Sequence, residues 1–157
     1  MDKSVKKRGF TIGKFAPFHM GHRYLIETGL KMMDEFYVVI YDTPDYDIEM
    51  KEKWIRSEFP GVKILRAYDS PKRYGLDEVS VNIQMEYLLE VIKGLEFTHF
   101  FSSEEYGRCV ADYLGIESFI VDMARRKYKI SGSEVRKNIE ENKQYLSKMV
   151  YDDIRDD

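Results

Sequence analysis

The chain has 157 residues, 25 of them basic and 28 acidic, for a net charge of −3. That length fits one domain, residues 1–157, able to bury about 70% of its unfolded surface, and the near balance of charge gives no general drive toward nucleic acid or an anionic membrane. The one cysteine, Cys109, excludes an internal disulfide and a cysteine-built zinc site; no run approaches the ~20 apolar residues of a spanning helix, and the charged start MDKSVKKRGF lacks a signal-peptide core, so a soluble cytoplasmic protein is expected.

Residues 9–13, GFTIG, are apolar and β-rich and end at glycine. HRYLIETGLKMMD (22–34) reads as a helix with Leu25, Met32 and Met33 toward the core, and EFYVVIYD (35–42) as a nearly continuous apolar strand of a sheet covered on both faces. DIEMKEKWIRSEF (47–59) reads as a second helix stopped by Pro60-Gly61, and VKILRAYD (62–69) as a third strand. Residues 69–79, DSPKRYGLDEV, form the loop of most functional size. SVNIQMEYLLEVIKGL (80–95) predicts a helix with Ile83, Tyr87, Val91 and Leu95 on one stripe and Leu88 and Ile92 beside it. THFFSS (98–103) is a fourth strand; a helix over 104–114 with Gly115 as its C-cap follows, then a fifth strand, ESFIVD (117–122). SGSEVRKNIEEN (131–142) looks like a helix start, and QYLSKMVYDDI (144–154) carries Leu146, Val150 and Ile154 at weak helical spacing.

Strands alternating with helices of 10–15 residues predict an α/β fold, a five-stranded parallel sheet of Rossmann-like type with helices on both faces. Its crevice should open at the carboxyl ends of the strands.

Two segments carry chemistry. GKFAPFHMGH (13–22) lies where the first strand turns into the first helix, and it holds two of the three histidines. It is neither a G-x-G-x-x-G fingerprint nor a Walker A loop. A helix beginning offers unpaired N–H groups and the positive end of the dipole to phosphate. His19 and His22, three apart, can share one side of the first turn; Gly21 leaves room for a phosphate, and Lys14 adds a cation. A capping pair on a surface turn is the plain alternative. A metal pair is another, but His99 is the only other histidine and no carboxylate cluster completes a site, so no metal held by protein ligands is expected. The second segment, ISGSEVRKN (130–138), follows the fifth strand. Ser131 or Ser133 can cap a helix there, and Arg136 returns to the same side one turn later with a two-pronged grip on phosphate oxygens.

His19-Met20-Gly21-His22 and Ile130-Ser131-Gly132-Ser133-Glu134-Val135-Arg136 resemble the two marks of the nucleotidylyltransferase superfamily, H-x-G-H and I-S-[ST]-x-x-R. With EKWIRSEFPGV, FFSSEEYG and FIVDMARR, the chain is similar over roughly residues 9–150 to the NadR-type adenylyltransferase domain, which makes NAD from nicotinamide mononucleotide and ATP. The resemblance implies transfer of AMP from ATP to a phosphate-bearing acceptor, with release of pyrophosphate. It implies that His19 and His22 donate to the triphosphate, His22 on the α-phosphate side, that Lys14 bridges donor and acceptor phosphates, and that Ser133 and Arg136 hold the β- and γ-phosphates. Gly13, Phe15, Gly21, Ser131 and Gly132 would line the nucleotide, and so would Ser102, Ser103, Tyr106, Asp122 and Arg125. Mg²⁺ would be bound mainly through the triphosphate and water. The partners implied are ATP and a small phosphorylated acceptor, with no nucleic acid and no membrane; a homo-oligomer is left open.

Two departures from that pattern stand out. NadR-type chains often continue into a ribosylnicotinamide kinase domain, but no second P-loop is found here, so kinase activity is not expected. Relatives also carry tryptophans after the third strand, whereas the only tryptophan here, Trp54, falls in the second helix and reads as core; Tyr74 is the aromatic platform that loop offers. An adenylyl- or cytidylyltransferase for phosphopantetheine or a polyol phosphate is the alternative enzyme, and a non-catalytic nucleotide sensor the alternative outside enzymes.

Overall fold

Strand β2 (Glu35–Tyr41) shows why this sheet needs cover on both faces. Its side chains alternate with the two-residue period of a strand. Phe36, Val38 and Ile40 enter one buried cluster, with Ile26, Trp54, Ile55, Val150 and Ile154. Val39 and Tyr41 enter the other, with Phe10, Met85, Leu88, Ile92 and Val110. The computed structural model describes residues 6–104, 106–121 and 130–155, with the side chain of Tyr106 outside that set.

Five parallel strands, β1 (Arg8–Gly13), β2, β3 (Lys63–Ala67), β4 (His99–Ser102) and β5 (Glu117–Ile120), lie in the order β3-β2-β1-β4-β5. Helices α1 (Met20–Met32) and α2 (Ile48–Glu58) pack on one face with the C-terminal α6 (Lys148–Ile154). Helices α3 (Glu78–Val91) and α4 (Tyr106–Leu114) pack on the other. The order reverses at β1, whose neighbours are β2 and β4, and a crevice opens beyond the carboxyl ends of such strands.

The predicted elements are present, with edges moved by a few residues and three differences of substance. Helix α1 begins at Met20, and its sheet-facing line runs Ile26–Gly29–Met33 because the Phe36 ring packs so close to Gly29 that a Cβ there would lie 2.3 Å from it. Met32 therefore points away from the core, 40% exposed, against expectation. In α3 the deeply buried line is Met85, Leu88 and Ile92, while Ile83, Tyr87 and Val91 are half-buried. That rotation turns Ser80 and Gln84 inward. Gln84 Nε2 donates to the carbonyls of Pro71 (3.1 Å) and Arg73 (2.8 Å), and Arg73 Nε donates to Ser80 Oγ (2.9 Å), so the helix holds the loop before it through polar groups. Third, the helix that starts in 131–142 is short: α5 (Gly132–Lys137) stops at Asn138. Asn138 Oδ1 accepts the Glu141 N–H (3.0 Å), and Asn142 Nδ2 donates to the carbonyls of Glu134 and Asn138, which satisfies the groups a helix end leaves unpaired.

The C-terminal helix is tied down from α2. Trp54, 0% exposed as core residues are, donates from Nε1 to Asp153 Oδ2 at 2.8 Å. Gly115 ends α4 with a φ of +69°, a conformation that favours glycine, as its expected capping role requires. Among the described residues, no helix is long and apolar enough to cross a membrane.

Candidate active site

Between Gly13 at the end of β1 and Met20 at the start of α1 the chain turns through a cis Ala16–Pro17 bond, with Phe15 at φ +47°. The Phe15 ring is buried (3% exposed) and folds back beneath Gly13, where any Cβ would meet it at 2.8 Å. The ring thus serves as a floor, and its edge faces His22 with centroids 4.7 Å apart.

The two histidines close the helix end reciprocally. Gly21 N–H donates to His19 Nδ1 (3.1 Å), and His19 N–H donates to His22 Nδ1 (3.2 Å). This is the capping-box arrangement with imidazoles in place of hydroxyl and carboxylate. With both Nδ1 atoms accepting, each neutral ring carries its proton on Nε2. The rings stack at 3.7 Å between centroids, 19° from parallel. The pair thus caps α1 from within. Gly21 is required by the cap itself, since a Cβ there would press on the His19 ring at 2.9 Å.

The second segment arrives opposite. Ser131 is the N-cap of α5, its Oγ accepting the Glu134 N–H (3.3 Å) and lying 3.2 Å from Ser133 Oγ. Gly132 sits so close to the first segment that a Cβ would lie 2.8 Å from the Ala16 carbonyl oxygen. Arg136 donates from Nη1 to that same carbonyl, and its Nε faces Asp45 Oδ2 at 3.8 Å. An ion pair this long and this exposed contributes little to stability; its part is to orient the guanidinium.

Both segments open on one cavity of about 670 Å³, within the size range of small-molecule sites. Of the residues singled out from sequence, Gly13, Lys14, Phe15, His19, Gly21, His22, Ser103, Ser131, Gly132, Ser133 and Arg136 line it. Ser102 lines an adjoining cavity of about 130 Å³ that shares Phe15, His22 and Ser103 with the first; its hydroxyl accepts the Glu104 N–H (3.0 Å). Asp122, Arg125 and the Tyr106 side chain lie outside the described residues.

The remaining wall includes Tyr74, the aromatic that the 69–79 loop was expected to offer, and its neighbour Leu76; Tyr41, Gln84 and Met85 complete it and were not singled out from the sequence. Lys14 Nζ stands 4.0 Å above the Tyr74 ring centroid, so a cation of the β1–α1 turn rests on the 69–79 loop. The loop is anchored at its base by Asp42. That carboxylate accepts from the N–H groups of Asp69 (3.1 Å) and Ser70 (3.0 Å), from Ser70 Oγ (2.6 Å) and from Lys72 Nζ (3.2 Å). Burial alone would push the Asp42 carboxyl up; the Ser70 and Lys72 contacts outweigh it and hold it at about 2.

No protein-family model matches the chain. The trifunctional NAD biosynthesis/regulator protein NadR of Salmonella typhimurium is 30% identical over 85% of this chain and 37% of its own length. The chain thus spans little more than a third of that curated relative. Among solved structures, a NadR protein in complex with NAD and AMP-PNP superposes with a TM-score of 0.64 at 20% identity, over 92% of this chain and 46% of that one. A bifunctional NMN adenylyltransferase/ADP ribose pyrophosphatase of Francisella tularensis, complexed with AMP and a manganese ion, gives 0.65 at 19% identity, over 96% and 52%. The chain is a homologue of NadR, and its five-stranded α/β fold is shared with the solved NadR and NMN adenylyltransferase structures.

Proposed function

We propose that this chain, acting as one domain over residues 1–157, transfers the adenylyl group of ATP to nicotinamide mononucleotide, giving NAD and pyrophosphate. One observation carries the reading: His19, His22, Lys14, Ser133 and Arg136 come from opposite ends of the chain and line a single cavity. The homology to NadR and the fold support it. A cytoplasmic location goes with this reading.

In the reaction an acceptor phosphate oxygen attacks the α-phosphorus. A new P–O bond forms, the bond to the pyrophosphate oxygen breaks, and its electron pair leaves on pyrophosphate. A phosphate monoester is largely dianionic at neutral pH, so no strong general base is needed, and the protein contributes alignment and neutralisation of charge. The Nε2–H of His22 serves the α-phosphate and that of His19 the same triphosphate chain. Lys14 leaves the Tyr74 ring to bridge donor and acceptor phosphates. Ser131, Gly132, Ser133 and Arg136 hold the β- and γ-phosphates.

The cavity lining fits a divalent cation carried by the nucleotide. Its polar lining includes two histidines, Lys14, Arg136 and three serines, with Glu104 as its carboxylate, so anionic ligands come mainly from phosphate oxygens and water. Mg²⁺, held in that way, would supply charge neutralisation on the triphosphate.

The aromatic facing Lys14 is Tyr74, while Trp54 lies in the core; this keeps a second reading, transfer to another phosphorylated acceptor. Purified protein with Mg²⁺ and either ATP or CTP, offered nicotinamide mononucleotide, phosphopantetheine and a polyol phosphate, separates the two by pyrophosphate release. NAD formation from ATP and the pyridine mononucleotide is expected. Faster turnover of another pair moves the assignment to that acceptor, and nucleotide binding without pyrophosphate from any pair makes the chain a sensor.

A further inference from the structure

Lys51, in the first turn of α2, is 0% exposed. Lysines are almost never fully buried unless their ammonium group is satisfied. Its Nζ donates to the Tyr41 carbonyl (3.1 Å) and to Thr43 Oγ1 (2.7 Å). Those acceptors belong to the last residue of β2 and to the loop after it. The ammonium does not line the cavity. A methionine of similar length would fill the same apolar space without charge, so packing alone does not explain it.

What the loop carries does. Tyr41 lines the cavity, and Asp45 faces Arg136 Nε at 3.8 Å. Arg136 is thus held between the Ala16 carbonyl of the first segment and Asp45 of the loop that Lys51 clamps from beneath. We propose that Lys51 is a positioning residue for the triphosphate: by fixing the 42–47 loop it fixes Asp45, and through Asp45 the approach of Arg136 to the β- and γ-phosphates. This inference rests on the transferase reading of the site.

The charged groups around Lys51 give the clamp a pH dependence. Burial pushes its ammonium down to about 8, against the opposing pull of Asp42, Asp45 and Asp47, and Lys72, which bonds Asp42, adds to the depression. Asp42 stays ionised far below that range. Above pH 8 the amine still donates, but without charge, and its hold on the loop weakens.

The experiment compares wild type with Lys51→Met, Lys51→Arg and Asp45→Asn. The readouts are KM for each substrate between pH 6.5 and 9.5, and calorimetric binding of a non-hydrolysable ATP analogue with Mg²⁺. Lys51→Met is expected to raise the triphosphate KM about three- to tenfold and to leave the acceptor KM unchanged. Asp45→Asn should reproduce that effect, and the two together should add little to either alone. Wild type should lose triphosphate affinity as pH passes through about 8, and Lys51→Arg, charged throughout, should not. A folded Lys51→Met with wild-type triphosphate KM and analogue affinity overturns the proposal, as does an equal rise in both KM values. Should Lys51→Met fail to fold, a Lys51→Arg variant that keeps the wild-type pH dependence overturns it instead. A wild type that binds the analogue but releases no pyrophosphate refutes the transferase reading alone, and analogue binding in the variants then decides the role of Lys51.

Discussion

The two helix beginnings that meet across the cavity are built in opposite ways. The start of α1 is made from the inside: His19 is 5% exposed, the rings of His19, His22, Phe15 and Phe18 pack on one another, and the imidazoles cap the helix they belong to. The start of α5 is made from the outside. It heads a helix of six residues, its serines face the cavity, and its arginine is steered by a carbonyl and a carboxylate from other parts of the chain. The first end is preorganised by packing; the second is placed by tethers to other parts of the chain. Groups at the first should act on turnover, and groups at the second on substrate affinity.

His22 offers the largest break. His22→Ala is expected to lower turnover roughly 10²–10³-fold, the scale for one lost donor to a transition state, with little change in triphosphate KM. Because Nδ1 also accepts the His19 N–H, the same variant should lose about 1 kcal/mol of stability as a weakened cap. His22→Asn separates the two effects, since its carbonyl oxygen can still accept that N–H; it should recover stability in thermal unfolding without recovering pyrophosphate release.

Arg136→Ala probes the tethered end. A lost charge-assisted hydrogen bond corresponds to about a 10- to 100-fold rise in triphosphate KM, with turnover at saturation affected far less. Equal falls in turnover and in turnover over KM would show that both ends act in the transition state and would erase the contrast. Gly132→Ala tests the contact between the ends. Its Cβ would lie 2.8 Å from the Ala16 oxygen and 3.3 Å from Arg136 Nη1, so the second segment must back away. The expected cost is about 1–3 kcal/mol of stability with a triphosphate KM raised toward the Arg136→Ala value.

The same contrast accounts for what could be read from sequence. The sheet, its order of elements and the first segment were legible because they rest on local signals: apolar runs, a glycine at a strand end, and polar caps at set offsets. The meeting of residues 13–22 with 130–136 was inferred from the fold rule that parallel strands open one crevice, and both segments do line one cavity. Asp45, Gln84 and Lys51 were not legible. Each is a polar residue whose work lies with a partner distant in the fold or across a loop, and nothing in its immediate neighbours marks it. Ser80 and Gln84 carry no mark either: they are polar residues on a helix, turned inward here to hold the 69–79 loop. The sequence misled at Met32. Its spacing from Leu25 suits a buried stripe, but the close approach of Phe36 to Gly29 sets a different helix rotation.

The smallest effect concerns the third wall, the loop whose Tyr74 carries Lys14 at rest. It is tethered like the α5 end, through Asp42 and its contacts with Asp69, Ser70 and Lys72. Asp42 sits at about 2 in the folded chain against an ordinary 3.8, so the folded state favours its ionised form. The stability this supplies is complete above pH 3.8 and drains away as pH falls through about 2. Partial exposure of the side chain, 29%, limits it to about 1–2 kcal/mol. The stability gap between wild type and Asp42→Asn should therefore be widest near pH 6 and narrow by that amount on approach to pH 2, measured by denaturant unfolding. A gap that stayed constant over this range would mean the carboxylate's charge does not hold the loop. At neutral pH the same variant should loosen Tyr74 and change acceptor KM slightly while leaving turnover alone, because the end built on His19 and His22 is held by its own capping bonds and ring stacking.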